Sequence, residues 1–251
     1  MALTKGAIYY TDNRPRWFIL EKCREQISKA WKGKLVSVSL KPINFGKNLV
    51  LEGHERSLPT MIKQIVMALE ALDTDIVFFL EHDVLYHPSH FDFWPPKEDI
   101  YYYNTNNWRW GIKEDFAITY DGLKSLSQLC CFRKTALLHY RGRLKYIQDR
   151  GWDKVPSREP KWGRVMGYEP GTKPRKKGGF SDEKFDVWRS EFPNIDIRHR
   201  HTFSPPKYIL SDFKHPPVNW REEKIENLPY WNLQQLHDMW AAQYNRQLTT
   251  N

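Results

Sequence analysis

Cysteines and long apolar runs are scarce in this sequence, and each shortage excludes a class of protein. The chain has three cysteines in 251 residues, and two of them, Cys130 and Cys131, are adjacent. This is a poor disulfide framework, and it lacks the spacing of a zinc site. No apolar run approaches the length of a membrane span, and the first residues lack the apolar segment of a secretory signal. We therefore expect a cytoplasmic protein with no membrane span.

Positive charge and aromatic side chains, in contrast, are abundant. Phe, Trp and Tyr make up 15% of the chain, and the formal net charge of +9 indicates an anionic partner or, more simply, a soluble surface. Cations are densest over residues 154–178, where Trp152, Trp162 and Tyr168 are interleaved with them. Such a pattern suits a nucleic acid with exposed bases, although a solvated loop with a few anchoring aromatics has the same composition. The candidate nucleic-acid contacts are Lys161, Arg164, Lys173, Arg175, Lys176 and Lys177.

Strand and helix patterns alternate through the first half of the chain. Short apolar strands are predicted over residues 6–11, 34–40 and 76–80, with helical periodicity over 16–31 and, after a capping Ser57, over 57–72. This alternation predicts an α/β fold with a Rossmann-type, mostly parallel central sheet flanked by helices. The second half is more mixed, and its predicted elements are strands over 99–103, 116–120 and 194–201 and helices from about 133 and over 232–246. Residues 41–56 are predicted to be a loop.

Two carboxylates follow the most apolar of these strands. Glu81 and Asp83 flank His82 directly after Leu80. Open α/β sheets bind ligands at the carboxyl ends of their strands, and acidic side chains near apolar surface are costly unless they are paired or bound to a cation. We therefore expect a site for Mn²⁺ or Mg²⁺ here and, through the metal, for a phosphorylated ligand. Two alternatives remain open, namely a metallohydrolase using neighbouring histidines and a strand end whose acids only cap a helix or pair with arginines.

A second polar cluster, Arg198 to His201, follows the late strand. Alternation along an extended chain would place His199 and His201 on one face and the two arginines on the other. A neutral imidazole is a good ligand for Mn²⁺, and a guanidinium nearby would bind phosphate in bidentate fashion. Alone, this tetrad is more typical of a solvated strand end.

Taken together, the motifs resemble those of a GT-A-type glycosyltransferase, in which an acidic D-x-D-like motif follows a central strand. The chain is similar to family-two-like glycosyltransferases of phage and metagenomic origin, and some relatives of that fold modify hydroxymethylated bases in DNA. In the central motif, Glu81 stands where Asp is common, which weakens its assignment as a ligand more than that of Asp83. The matching segments, which span most of residues 6–201, are 9–13, 38–42, 81–91, 102–106, 167–172 and 193–199.

The resemblance implies a GT-A-like catalytic domain over residues 1–220, with a nucleotide-sugar half to residue 95, an acceptor half over 96–220, and a C-terminal tail or helix over 221–251. It implies that Asp83 binds the metal and that His199 is a second metal ligand or, alternatively, a contact to the diphosphate. Asp12 has an alternative role as a helix cap, and Arg56 an alternative role in a surface ion pair. The implied nucleotide-sugar residues are Thr11, Asp12, Arg56, Glu81, His82 and Asp83.

The resemblance also implies a reaction, in which a sugar passes from a nucleotide-diphosphate donor, a UDP-sugar by preference, to a hydroxyl. An inverting enzyme would need a general base, and the candidates are Glu169, Asp182 and Glu191, each of which is otherwise an exposed loop acid. The basic, aromatic segment favours a 5-hydroxymethylpyrimidine in double-stranded DNA as acceptor. The alternatives are a lipid-linked or surface polysaccharide acceptor, or a catalytically silent nucleic-acid-binding module.

Overall fold

The computed structural model of the protein describes residues 2–155, 160, 170–171, 184–202 and 207–248, with side chains in the last helix described as far as Gln243. Its α-helices are Trp17–Ala30 (α1), Leu58–Ala71 (α2), Arg133–Asp149 (α3) and Leu233–Leu248 (α4). The strands are Lys5–Thr11 (β1), Lys34–Ser39 (β2), Lys47–Val50 (β3), Ile76–Glu81 (β4), Val84–Leu85 (β5), Tyr101–Asn104 (β6), Asn107–Gly111 (β7), Phe116–Thr119 (β8), Leu129–Phe132 (β9), Phe185–Trp188 (β10), Asn194–Arg198 (β11) and Arg221–Lys224 (β12).

A seven-stranded mixed sheet forms the centre, in the order β10-β6-β9-β4-β1-β2-β3. Strand β9 runs antiparallel to both of its neighbours, whereas the other pairings are parallel. The apolar residues of β4 are fully buried, as expected for a strand that is covered on both faces. The predicted α/β fold with a central sheet between helices is therefore confirmed.

The helices cover the two faces of this sheet because its strands alternate. Ala7 and Tyr9 of β1 pack on the side of α1, whereas Ile8 and Tyr10 pack on the side of α2 and α3. Helix α2 begins as its sequence predicts, since Ser57 Oγ accepts a hydrogen bond from the Thr60 N–H at 3.2 Å. The first α/β units thus cross to opposite faces of the sheet.

This arrangement creates a crevice at the carboxyl ends of β1 and β4. The chain leaves β1 through α1 toward β2 on one side, and it returns through α2 to β4 on the other. A reversal of this kind is where open α/β sheets bind their ligands. The register pairs Tyr10 with Glu81, so the residues that follow the two strands lie side by side.

A second sheet closes this end of the molecule. Its order is β12-β8-β7-β11-β5, and it packs with α1 and α4 through an aromatic core in which Trp110 and Trp240 stack at 5.5 Å. The Ile197 N–H of β11 donates to the carbonyl oxygen of Asp83 at 2.8 Å. This bond attaches the end of β11 to the end of β4 and brings the residues after β11 to the crevice.

Several sequence-based predictions of the elements were wrong. Residues 41–56 contain β3, a half-buried edge strand that is held by pairing with β2, and the late strand ends at Arg198 rather than at 201. Strands β5, β7, β9, β10 and β12, each of five residues or fewer, were not predicted. Among the described residues, no helix combines the length and apolar character needed to cross a bilayer.

Candidate metal centre and cleft

Three potential metal ligands meet in the crevice at the end of β4. Asp83 Oδ2 lies 3.2 Å from His199 Nε2 and 3.8 Å from His82 Nε2. One ligand atom from each residue lies within 4.8 Å of the others. Asp83 and His199 are buried, and His82 is partly exposed. The group therefore combines a carboxylate and two imidazoles at one point on the wall of a cleft.

Each ligand is held by the backbone or by a neighbouring side chain. The backbone of Asp83 is held by the hydrogen bond that its carbonyl oxygen accepts from the Ile197 N–H. His82 Nδ1 lies 2.9 Å from Thr11 Oγ1, which orients Nε2 toward Asp83. His199 Nδ1 accepts from the His201 N–H at 3.2 Å, so the tautomer this implies carries its proton on Nε2. For Nε2 to bind a cation, the ring would have to carry its proton on Nδ1 instead and give up the hydrogen bond from the His201 N–H.

The chemistry of this donor set fits a divalent cation. Within the described part of the chain, His199 Nε2 is buried and lacks a hydrogen-bond partner in good geometry, despite its 3.2 Å approach to Asp83. A buried polar atom in that condition is costly, and a metal ion would satisfy it. Imidazole and carboxylate ligands suit Mn²⁺, Zn²⁺ or iron, so the residues agree with a cation but do not fix its identity.

Glu81 and Asp83 differ in protonation although they are two residues apart. Burial alone would raise the pKa of Asp83, but the two imidazoles and the Arg198 guanidinium outweigh burial and lower it. Burial, and then the charge of Asp83, raise the pKa of Glu81, which also accepts a 2.6 Å hydrogen bond from the Tyr10 hydroxyl. Asp83 is therefore the ionised carboxylate of the pair and the better metal ligand.

The metal group opens into a cleft with two walls. The cleft contains about 950 Å³ of empty space, a volume that includes open solvent at its mouth. One wall comes from the end of β1 and the start of α2, and the other from β7 and β11. The cleft-lining polar residues of the first wall include Thr11, Asp12, Arg56, Ser57 and Gln64, and those of the second wall include Arg109, Asp196 and Arg198.

An ion pair crosses the first wall. Arg56 Nε lies 2.9 Å from Asp12 Oδ2, and Arg56 Nη2 donates to the His201 carbonyl oxygen at 3.1 Å. The alternative role of Asp12 as a helix cap was wrong, because α1 begins after Arg16 and has no side-chain cap. The ion pair expected for Arg56 does form, but inside the cleft, where both side chains are mostly buried.

The structure brings together all of the predicted nucleotide-sugar residues, and His199 lies beside them. The alternation expected for the second cluster was wrong. The chain leaves the extended conformation after Arg198, so Arg198 and His201 both line the cleft while Arg200 is exposed. Sequence reasoning did not single out Asp196 or Arg109. A charged residue between the buried Ile195 and Ile197 is the signal that could have identified Asp196.

Of the other predicted residues, Glu191 and Trp152 are among those that the structure describes, and neither lines the cleft. Glu191 is exposed and precedes β11, at the end of that strand opposite to Arg198. Trp152 is buried in the core beside α3, so it is not a surface for stacking bases. The remaining predicted positions, which lie outside the described residues, are Lys161, Arg164, Glu169, Lys173, Arg175, Lys176, Lys177 and Asp182.

A scan against protein-family models finds no family that matches the chain, and a search of curated proteins finds no match either. An α/β fold by itself hosts many unrelated activities. The function is therefore inferred from the ionised carboxylate, the two imidazoles and the arginines that line the cleft.

Proposed function

We propose that this protein is a metal-dependent glycosyltransferase that moves a sugar from a nucleoside-diphosphate donor, a UDP-sugar by preference, to a hydroxyl acceptor. The observation that carries the proposal is the His82–Asp83–His199 group at the end of β4, in a cleft at the reversal point of the sheet. That position suits a nucleotide, and the ligand chemistry suits a cation that would bind its diphosphate. The motifs that resemble those of GT-A enzymes supply all three residues.

The residues around the metal group would have different roles in such a reaction. His82, Asp83 and His199 would hold Mn²⁺ or Mg²⁺, which when bound offsets the negative charge that develops on the leaving diphosphate. Thr11 and Asp12 face the cleft at the end of β1, where they would contact the nucleoside. Arg56, tied to Asp12 and to the chain after β11, links the nucleoside wall to the loop that carries His199. Bound donor would thus be oriented from both sides.

The identity of the acceptor is a separate question. A 5-hydroxymethylpyrimidine in DNA remains our proposal on the basis of the charge of +9 and the cations of residues 154–178. A lipid-linked or surface polysaccharide would use the same donor site. A catalytically silent nucleic-acid-binding module would not need that site, and this difference separates it from both transferases.

A donor screen tests the proposal. The purified protein is heated with Mn²⁺ or Mg²⁺ and with individual nucleoside diphosphates and nucleotide sugars, and donors that raise Tm are then assayed for hydrolysis and for transfer to hydroxymethylated DNA. We expect a metal-dependent rise in Tm with one nucleotide class, because ligands that bind only the folded state stabilise it. A protein that responds to DNA but to no metal–nucleotide pair would contradict the proposal and favour the silent module.

A further inference from the structure

Thr11 lies directly behind one of the three potential metal ligands. It is the last residue of β1 and is buried, and its Oγ1 lies 2.9 Å from His82 Nδ1. The register of β1 and β4 pairs Tyr10 with Glu81, so the two residues that follow, Thr11 and His82, are also neighbours. His82 is partly exposed on the wall of the cleft, and the Thr11 hydroxyl is a contact that holds its ring in one orientation.

The position of Thr11 is itself fixed from two directions. Gln64 Nε2 of α2 donates to the Thr11 carbonyl oxygen at 2.8 Å, and the Asn13 N–H donates to Thr11 Oγ1 at 3.0 Å. Asn13 has a φ of 60°, in the left-handed region that asparagine tolerates better than most residues. Its side-chain oxygen accepts hydrogen bonds from the N–H groups of Leu40 and Lys41. The turn after β1 is thus held in a conformation that directs a backbone N–H at the hydroxyl.

These contacts bear on which nitrogen of His82 is able to bind a cation. A hydroxyl oxygen can accept two hydrogen bonds, and the Asn13 N–H uses one, so Thr11 Oγ1 retains a lone pair for a proton on His82 Nδ1. A proton on Nδ1 leaves Nε2, which lies 3.8 Å from Asp83 Oδ2, unprotonated and able to bind a metal. At His199 the arrangement is the reverse, because the group that faces Nδ1 is a backbone N–H donor. Of the two imidazoles, His82 is therefore the one whose surroundings suit a ligand.

We propose that Thr11 is a positioning residue of the metal centre, whose hydroxyl accepts the proton of His82 Nδ1 and so presents Nε2 to the cation. The inference rests on the metal-dependent function proposed above, but it does not depend on the identity of the donor or the acceptor. Removal of a group that holds a ligating imidazole through its other nitrogen typically weakens metal binding by about ten- to a hundredfold. Thr11→Val keeps the shape of the side chain and removes the hydroxyl, so it should have an effect of this size.

The test is a double-mutant cycle, measured by calorimetric titration of the full chain with MnCl₂ in the absence of nucleotide. The four proteins are the wild type, Thr11→Val, His82→Gln and the double variant. We expect Thr11→Val to weaken Mn²⁺ binding by about ten- to a hundredfold when His82 is present. In the His82→Gln background the same change should alter the affinity by less than about twofold, because the hydroxyl acts through the imidazole. Thr11→Ser keeps the hydroxyl and should recover most of the loss.

Thr119→Val is the matched control. Thr119 is also buried, and its hydroxyl donates to the Asn107 carbonyl oxygen at 2.8 Å, but it lies on β8 and does not line the cleft. The control should lower Tm and leave Mn²⁺ affinity unchanged. If Thr11 only supports the end of β1, Thr11→Val should weaken Mn²⁺ binding equally in both backgrounds, and that result would overturn the proposal. If Thr11→Val does not fold, as judged by circular dichroism, Thr11→Ala takes its place in the cycle.

The positioning role and the proposed function fail in different ways. A folded Thr11→Val variant that binds Mn²⁺ within about twofold of the wild type would overturn the positioning role, whereas the metal centre and the transferase proposal would stand. If the cycle gives the expected result but the wild type binds no nucleoside diphosphate in the presence of Mn²⁺, the role of Thr11 stands and the donor is wrong. If the wild type does not bind Mn²⁺, both proposals are refuted.

Discussion

Replacement of Asp83 by Asn tests the metal centre with the least disturbance of shape. The amide keeps the size of the side chain but removes the only carboxylate among the three ligands of the group. At a Mn²⁺ concentration of about 100 times Kd, the wild type should gain about 2.7 kcal/mol of stability. For a chain of this size, that gain corresponds to a rise in Tm of about 5 to 11 °C. The Asn variant should show almost none of this rise.

When Mn²⁺ is absent, the same substitution has two effects on the stability of the fold, and they oppose each other. The pKa of Asp83 is lowered in the folded state, so its charge stabilises the fold above the unfolded pKa, and this contribution is lost as pH falls through the folded pKa. Loss of the carboxylate removes that stabilisation at neutral pH. However, Asp83 also raises the pKa of Glu81, and Asn relieves that repulsion. We expect the two effects to offset each other, so that Tm without Mn²⁺ changes by less than about 5 °C.

Differential scanning fluorimetry with MnCl₂ and with EDTA, at constant ionic strength, measures both quantities. Asp73→Asn is the matched control, because Asp73 precedes the other end of β4 and its side chain is 99% exposed. The control should keep the full Mn²⁺ response of the wild type. An equal rise in Tm for Asp83→Asn and wild type would show that the cation binds elsewhere. The His82–Asp83–His199 group would then no longer support the proposed function.

Three further predictions concern the stability of the fold. Burial lowers the pKa of His90 from 6.5 to about 3, so between these pH values the unfolded chain binds one more proton than the folded chain, and the free energy of unfolding falls on acidification by up to about 1.4 kcal/mol per pH unit. In urea titrations at several pH values, the free energy of unfolding of His90→Gln should depend on pH less steeply than that of the wild type, by the same amount. Equal pH dependence of the two proteins would contradict the assignment. Ser57→Ala should cost about 1 kcal/mol in urea unfolding through loss of the α2 cap, and an unchanged midpoint would argue against it. Gly171→Ala should lower Tm more than Gly53→Ala. Both glycines have positive φ, but only at residue 171 would the new Cβ lie 2.7 Å from a backbone atom, the Lys184 carbonyl oxygen. Equal decreases in Tm would refute the steric argument.

The parts of the site that the sequence predicts are those encoded by neighbouring residues. The apolar strand and the acids that follow it are contiguous, so one segment defines both the buried β4 and the position of Asp83 at its end. The cap of α2 and the helical periodicity after it are also local. The sequence favoured Asp83 over Glu81 as the ligand only through the resemblance, because the different protonation of the two acids depends on burial, on His82 and on His199 in the folded chain.

The parts that were missed depend on pairing between distant strands. Arg109 and Asp196 meet only because β7 and β11 are parallel neighbours in a particular register, and a register is set by the whole sheet rather than by either segment. Strand β9 illustrates the same limit. Its insertion between β4 and β6 in the antiparallel direction makes the sheet mixed, although the order of elements in the first half predicts mostly parallel pairing.

The candidate metal centre lies where the two sheets meet, so it depends on both of them. His82 and Asp83 belong to the end of the first sheet, whereas His199 belongs to the end of β11 in the second. The hydrogen bond from Ile197 to Asp83 and the contact from Arg56 to His201 join the two sides at this point. A cation that binds all three ligands would therefore stabilise the junction of the sheets as well as the cleft. The first sheet alone retains both acids and His82 but lacks His199, so a cation site with all three ligands needs the second sheet, even though the most recognisable motif lies in the first.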